Sequence, residues 1–292
     1  MRRLYLLLLA LFALAASAQD RDFSKVEVKA QKVAGNVYML TGAGGNNGVS
    51  VGEDGVVIVD DQFAPLAPKI REALKGISDK PIKFALNTHY HGDHTGGNEV
   101  FGREAPIIAH DNVRKRLASG SKALGRDTPP APKGALPVVT FGDRVSLHIN
   151  GEEVRAVHFP NGHTDGDAVI YFTGSNVVHM GDDFFNGTFP FVDSENGGSV
   201  KGLVADLEKV LSTLPDDVKV IPGHGPLSDK PGLRKFADAM KGTWDAVAAG
   251  VAAGKTLDQL KSEKVLAQWD AMGQGFIKTD AWIEKIYNEM KK

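Results

Sequence analysis

Thr88-His89-Tyr90-His91-Gly92-Asp93-His94-Thr95-Gly96-Gly97 is the stretch on which the fold of this chain turns. Four groups able to ligate a metal, His89, His91, Asp93 and His94, stand within six residues. The apolar run 82–87 before them reads as a buried strand, and Gly92, Gly96 and Gly97 read as a tight turn into a short helix. The four groups therefore lie on the loop leaving a strand's carboxyl end, where open α/β sheets bind their ligands. His89 and His91 are two apart, so extended backbone points both imidazoles the same way. Gly92 lets the chain bend, which turns Asp93 and His94 toward a second point. A lone histidine reads as an ordinary core or surface residue. Here three of the chain's nine histidines fall in one hexapeptide with an aspartate between them. As cations they would repel one another, and as neutral rings they offer lone pairs with little to satisfy them. A transition metal is the simplest account.

Three further motifs follow in order: Gly162-His163-Thr164-Asp165-Gly166-Asp167, Val177-Val178-His179-Met180-Gly181-Asp182, and Val218-Lys219-Val220-Ile221-Pro222-Gly223-His224-Gly225. With the His-x-His-x-Asp-His run, this set resembles the metallo-β-lactamase fold superfamily over residues 25 to 230. The resemblance implies a four-layer αβ/βα sandwich of two mixed β-sheets flanked by helices, with the metals at one edge. It implies two zinc ions per chain. His89, His91 and His163 would hold one, Asp93, His94 and His224 the other, and Asp182 would bridge them. It further implies a metal-bridging hydroxide as nucleophile, oriented by Asp93, and no covalent intermediate. Periodicity by itself supports only an α/β domain.

The rest of the chain sets the context. Arg2 and Arg3 precede an apolar run, and Ala16-Ser17-Ala18 has the small-x-small form of a cleavage site. Residues 1–18 are expected to be a secretory signal peptide cut before Gln19, with residues 19–292 one domain in the periplasm or outside the cell. The run is too short to make a comfortable membrane anchor. A formal charge of −2, made more negative by losing both arginines, gives no electrostatic case for gripping nucleic acid. With no cysteine, disulfides and thiolate ligands or nucleophiles are excluded, and the core must supply the stability.

Short strands are expected at 26–28, 37–40 and 48–51, with the glycine-rich segment 42–48 between the last two read as a hairpin turn or a flap over the metals. Asp60 ends a buried strand and is a candidate partner for the free nitrogen of a ligating histidine. Asp111 is placed as the cap of a helix over 111–119. The segment 125–137 reads as a loop on the rim, and Asn150-Gly151 as a hairpin turn. The tail from Gly232 is helical. His110, His148, His158 and His179 match no motif and read as structural. Phe184, Phe185, Phe189 and Phe191 divide evenly between pocket wall and core packing.

The expected activity is hydrolysis of a small cyclic amide or ester, β-lactamase-like, on a small-molecule substrate. His91 stands where the redox-active diiron branch of the family has a carboxylate, which favours hydrolysis. Phe185 stands where several β-lactamases of the family carry Lys and related lactonases carry Tyr, so the substrate stays open. A lactonase or arylesterase is the alternative. A mononuclear iron dioxygenase and a non-catalytic periplasmic metal-binding protein rank below it.

Overall fold

The computed structural model describes residues 22–123 and 125–291, so the expected signal peptide and its cleavage site lie outside the described residues. The first half opens with β1 (Lys29–Ala34), β2 (Val37–Thr41), β3 (Asn47–Gly52) and β4 (Gly55–Val59), an antiparallel meander. Helix α1 (Ala67–Lys75) leads to β5 (Ile82–Leu86), and the short helices α2 (Gly92–Thr95) and α3 (Asn98–Phe101) follow. Then come β6 (Ile107–His110), α4 (Asp111–Ser119), the ribbon β7 (Ser121–Ala123) and β8 (Arg126–Thr128), and β9 (Val139–Phe141). The sheet runs β1-β2-β3-β4-β5-β6-β9 and is parallel from β4 onward.

The second half supplies β10 (Arg144–Ile149), β11 (Glu152–Phe159), β12 (Asp167–Phe172) and β13 (Val177–His179). Helix α5 (Val200–Thr213), β14 (Lys219–Ile221), β15 (Ser228–Asp229), α6 (Lys230–Ala252), α7 (Leu257–Ser262) and α8 (Thr279–Met290) complete it. Its sheet keeps the order β10 to β15, with β13 and β14 parallel. Asn150 and Gly151, at φ 55° and 76°, make the left-handed pair that the β10–β11 hairpin needs.

Strand alternation sorts the core into three apolar layers. Val57 and Val59 of β4 meet Ile170 and Phe172 of β12 between the sheets. Val56 and Ile58 turn the other way and pack on Leu66, Ile70 and Leu74 of the α1 segment. Val169, Val178 and Val220 face α5, α6 and α8. Each buried side chain of this size contributes about 1.5–3 kcal/mol. The sequence therefore folds as the expected four-layer sandwich, with the helical tail closing the outside of the second sheet. Trp282 seats this tail: its Nε1 donates to Thr243 Oγ1 at 3.0 Å, and its ring stacks on Phe189. Among the described residues, no helix is long and apolar enough to cross a membrane.

Two local expectations need correction. The first strand is 29–34, not 26–28. Lys69 Nζ takes the carbonyls of Phe23, Ser24 and Val26, which removes that backbone from the ladder, while Val26 and Val28 pack beside α1. The cap of α4 is His110, not Asp111. His110 has extended backbone, and its Nδ1 accepts from Asn112 N at 3.2 Å.

Candidate metal centre

Four connections deliver the predicted ligands to one edge of the sandwich. The β5–α2 turn carries His89 and His91, and α2 itself carries Asp93 and His94. His163 follows β11, Asp182 follows β13 and His224 follows β14. The structure brings all seven together. Ligating atoms of His89, His91, His163 and Asp182 lie within 4.8 Å of one another, and those of Asp93, His94 and His224 form a second group to the same limit. Asp182 spans them. Its Oδ2 lies 3.8 Å from His89 Nε2 and 3.5 Å from His163 Nε2. Its Oδ1 lies 3.0 Å from His94 Nε2 and 3.4 Å from His224 Nε2. Asp93 Oδ2 stands 3.4 Å from His224 Nε2.

The far nitrogens of the imidazoles identify the lone pairs. Thr88 Oγ1 gives its only proton to Asp60 Oδ2 at 2.7 Å, so at 3.0 Å it can only accept from His89 Nδ1. His89 Nε2 then carries a lone pair, and it has no hydrogen-bond partner although buried. His163 Nδ1 faces the Phe191 carbonyl at 2.5 Å and must donate, which leaves a lone pair on Nε2. His91 Nε2 donates to Asp193 Oδ2 at 3.0 Å, which leaves one on Nδ1. The bare nitrogens of His91 and His163 stand 2.7 Å apart. Three lone pairs and a carboxylate oxygen facing one point make a site that could hold a metal cation. Burial, the largest effect, pushes His163 down to about 4 and His89 well below the ordinary imidazole range, so a proton is a poor occupant. The donor set of nitrogens and oxygens fits a zinc-like ion.

The second group is charged differently. Burial, the largest single effect, works downward on His224, but the Asp182 charge together with the hydrogen bonds to Asp182 and Asp93 outweighs it and lifts the ring to about 9. His94 behaves alike: burial is outweighed by Asp182, Asp60 and Asp93, and the ring is raised well above its ordinary value. Burial works upward on Asp93, yet the charge of His94 and the His224 hydrogen bond bring the carboxyl down to about 2.

Asp60, anticipated as a histidine partner, accepts from His94 Nδ1 at 2.7 Å, from Thr88 N at 2.8 Å and from Thr88 Oγ1. The segment 42–46 is tied down rather than a free flap. Gly45 N donates to Asp93 O, Asn46 N to Gly223 O, and Asn46 Nδ2 to the carbonyls of Pro222 and Gly225. Gly45 is required there, because a Cβ would stand 2.1 Å from His94 Cε1. The four phenylalanines split. Phe184 and Phe189 are core, whereas Phe185 stacks on His224 at 4.7 Å and Phe191 lies 5.7 Å from His91. The segment 125–137, expected as a loop on the rim, is not all loop: Arg126–Thr128 pairs with β7 as β8, and Pro129–Pro132 beyond it line a cavity of about 320 Å³ with Leu117 and His91.

The unmatched histidines lie outside both groups. His179 Nε2 meets Asn46 O at 2.9 Å, and its Nδ1 accepts from Gly181 N at 3.0 Å. His110 and His158 stack at 3.5 Å, and His148 is exposed. Sequence reasoning missed Asp193 and Asp183. Asp183 Oδ1 accepts from His163 N at 3.0 Å, and only its position beside Asp182 hinted at a role.

Residues 36–224 match the family model described as the metallo-β-lactamase superfamily. A curated relative, the 2,4-dinitroanisole O-demethylase subunit alpha of Nocardioides sp., is 28% identical over 162 residues, 54% of this chain and 46% of that one. The hydroxyacylglutathione hydrolase of Nitrosococcus oceani is 30% identical over 143 residues, 48% of this chain and 47% of that one. The chain thus spans about half the length of these relatives. Among solved structures, a metallo-β-lactamase from Pontibacter korlensis superposes with a TM-score of 0.62 at 19% identity, covering 74% of this chain and 99% of that one.

Proposed function

This chain belongs to the metallo-β-lactamase superfamily, and on that premise we propose that it is an exported hydrolase that binds two zinc ions and opens a small cyclic amide or ester. The observation that carries the reading is the convergence of the bare nitrogens of His89, His91 and His163 on Asp182 Oδ2, with each far nitrogen already committed to an acceptor. Bound there, the metals supply Lewis-acid polarisation of the substrate's carbonyl and lower the pKa of water toward neutrality.

The chain's own residues divide the remaining tasks. Asp182 offers one oxygen to each group and so fixes their spacing. Asp93 stays ionised and is 30% exposed, which suits it to accept a hydrogen bond from the attacking water and aim its lone pair. His94 is held by Asp60, so its metal-facing nitrogen stays fixed as charge develops. Phe185 and Phe191 flank the histidines with apolar surface. No serine, cysteine or lysine nucleophile is needed.

A lactonase or arylesterase is the second reading. Phe185 supports it by withholding the cation that a β-lactam's carboxylate would use, although the hydroxyl of the lactonases' Tyr is absent as well. The names of the relatives, an O-demethylase and a hydroxyacylglutathione hydrolase, point to no single substrate. The test is hydrolysis by the purified protein of a chromogenic cephalosporin, an acyl-homoserine lactone and an aryl ester, with and without chelator, beside metal analysis. Chelator-sensitive hydrolysis of one of them with near two zinc per chain is expected. One iron per chain and no hydrolysis would overturn the reading in favour of a dioxygenase.

A further inference from the structure

Asp193 belongs to neither ligand group and lies 102 positions after His91 in the chain. It is 1% exposed. One oxygen, Oδ2, accepts from His91 Nε2 at 3.0 Å, from Asn196 Nδ2 at 2.8 Å and from the Tyr90 hydroxyl. Its main chain is engaged as well. Asp193 N donates to His163 O at 2.9 Å, and Asp193 O accepts from Gly198 N at 2.8 Å. One residue therefore grips His91 through its side chain and His163 through its backbone, and the bare nitrogens of these two rings stand 2.7 Å apart.

His91 differs from its neighbours in a way that makes this grip matter. His89 and His163 point Nε2 at the shared point, whereas His91 points Nδ1. A neutral imidazole can offer Nδ1 only while its proton sits on Nε2, and an acceptor at Nε2 selects that form. The two other donors to Asp193 are neutral groups. The nearby guanidinium of Arg116 hydrogen-bonds both oxygens of Asp165 and Asn196 Oδ1, and acts on Asp193 through its charge alone. The carboxylate of Asp193 meets the His91 Nε2 proton directly, which makes that ring a stronger ligand. Asn196 also donates to Lys122 O, which links the carboxylate to the β7–β8 ribbon on the rim.

We propose that Asp193 is a positioning residue: it selects the His91 tautomer that bares Nδ1, and so sets the metal affinity of the His89–His91–His163 half. This rests on the reading that the cluster holds metal. The test uses the full mature protein, wild type, Asp193→Ala and Asp193→Asn, with two readouts besides activity. Long-range ¹H–¹⁵N spectra of the histidine-labelled, metal-free protein report which ring nitrogen of His91 is protonated. Calorimetric titration with zinc reports each equivalent separately.

The expected result is a wild-type His91 protonated on Nε2 and a mixture of tautomers in Asp193→Ala. That variant should weaken one zinc equivalent about 10- to 100-fold and leave the other within about twofold. Asp193→Asn keeps an oxygen that accepts from His91 but loses the charge, so it should hold the tautomer and fall between the two in affinity. It also guards against a mere folding failure of the alanine variant. An unchanged tautomer in Asp193→Ala, or equal weakening of both equivalents, overturns the proposal. A wild-type protein that takes up no zinc defeats the hydrolase reading, while the tautomer spectra still decide whether Asp193 sets His91.

Discussion

His89, His91 and His163 each have the far ring nitrogen held, by Thr88, Asp193 and the Phe191 carbonyl, and are at most 13% exposed. In the other half His94 is held by Asp60, but Asp93 and His224 are 30% and 27% exposed, and His224 leans on the Phe185 ring. The electrostatics follow the same division. Burial drives protons off His89 and His163, whereas Asp182 draws them onto His94 and His224. One half is pre-organised as a set of lone pairs. The other is more exposed and carries the charge. Pre-organisation favours tight binding, and exposure favours exchange and reaction.

The largest effect expected is from Asp182→Ala, which removes the group common to both halves. Both zinc equivalents should be lost and kcat/KM should fall about 10³-fold or more, read by metal analysis and rate assays. Retention of one equivalent would show that the halves do not depend on the shared carboxylate. His224→Ala should strip one equivalent and lower kcat/KM about 10²-fold, with the metal-free protein still folded by circular dichroism. Full activity with that equivalent confirmed absent would defeat the two-metal mechanism. Asp60→Ala strands Thr88 N and His94 Nδ1 without an acceptor and should destabilise the fold by about 3 kcal/mol in denaturant titration.

The metal-free protein should also show the contrast in its pH dependence. His224, raised to about 9, stabilises fully below its ordinary 6.5, and that contribution is lost as pH climbs through 9. His163, lowered to about 4, stabilises above 6.5, and that contribution is lost as pH falls toward 4. Denaturation midpoints from pH 4 to 10 should therefore drop on both sides, and His224→Ala should shrink the alkaline drop alone. The smallest effect belongs to Phe185→Leu. Loss of the stack on His224 should weaken the more exposed zinc about three- to tenfold, seen in the same titrations.

The sequence displayed one layer of this centre well and the next poorly. The ligand positions stand in local patterns: His89, His91, Asp93 and His94 fall within six residues at the end of β5 and in α2, and His163, Asp182 and His224 each follow a strand. The strands themselves showed in apolar runs such as Val56–Val59. What holds the ligands is non-local. Asp193 meets His91 across 102 residues, and within its own segment it looks like any aspartate before a turn at Asn196 and Gly197. Asp60 was visible because it ends a strand in a recognisable place. The phenylalanine group could not be divided by inspection, since only the sheet and α8 decide that Phe189 meets Trp282 while Phe185 meets His224. The cap of α4 escaped for a similar reason: His110 is steadied by stacking on His158, which comes from β11.

The central claim is that two unequal metal sites share Asp182, and stepwise zinc titration of the metal-free protein tests it most directly. The account predicts two equivalents, one bound much more tightly than the other, with His224→Ala abolishing only the weaker. A single equivalent, or two that cannot be told apart and fall together in His224→Ala, would contradict it.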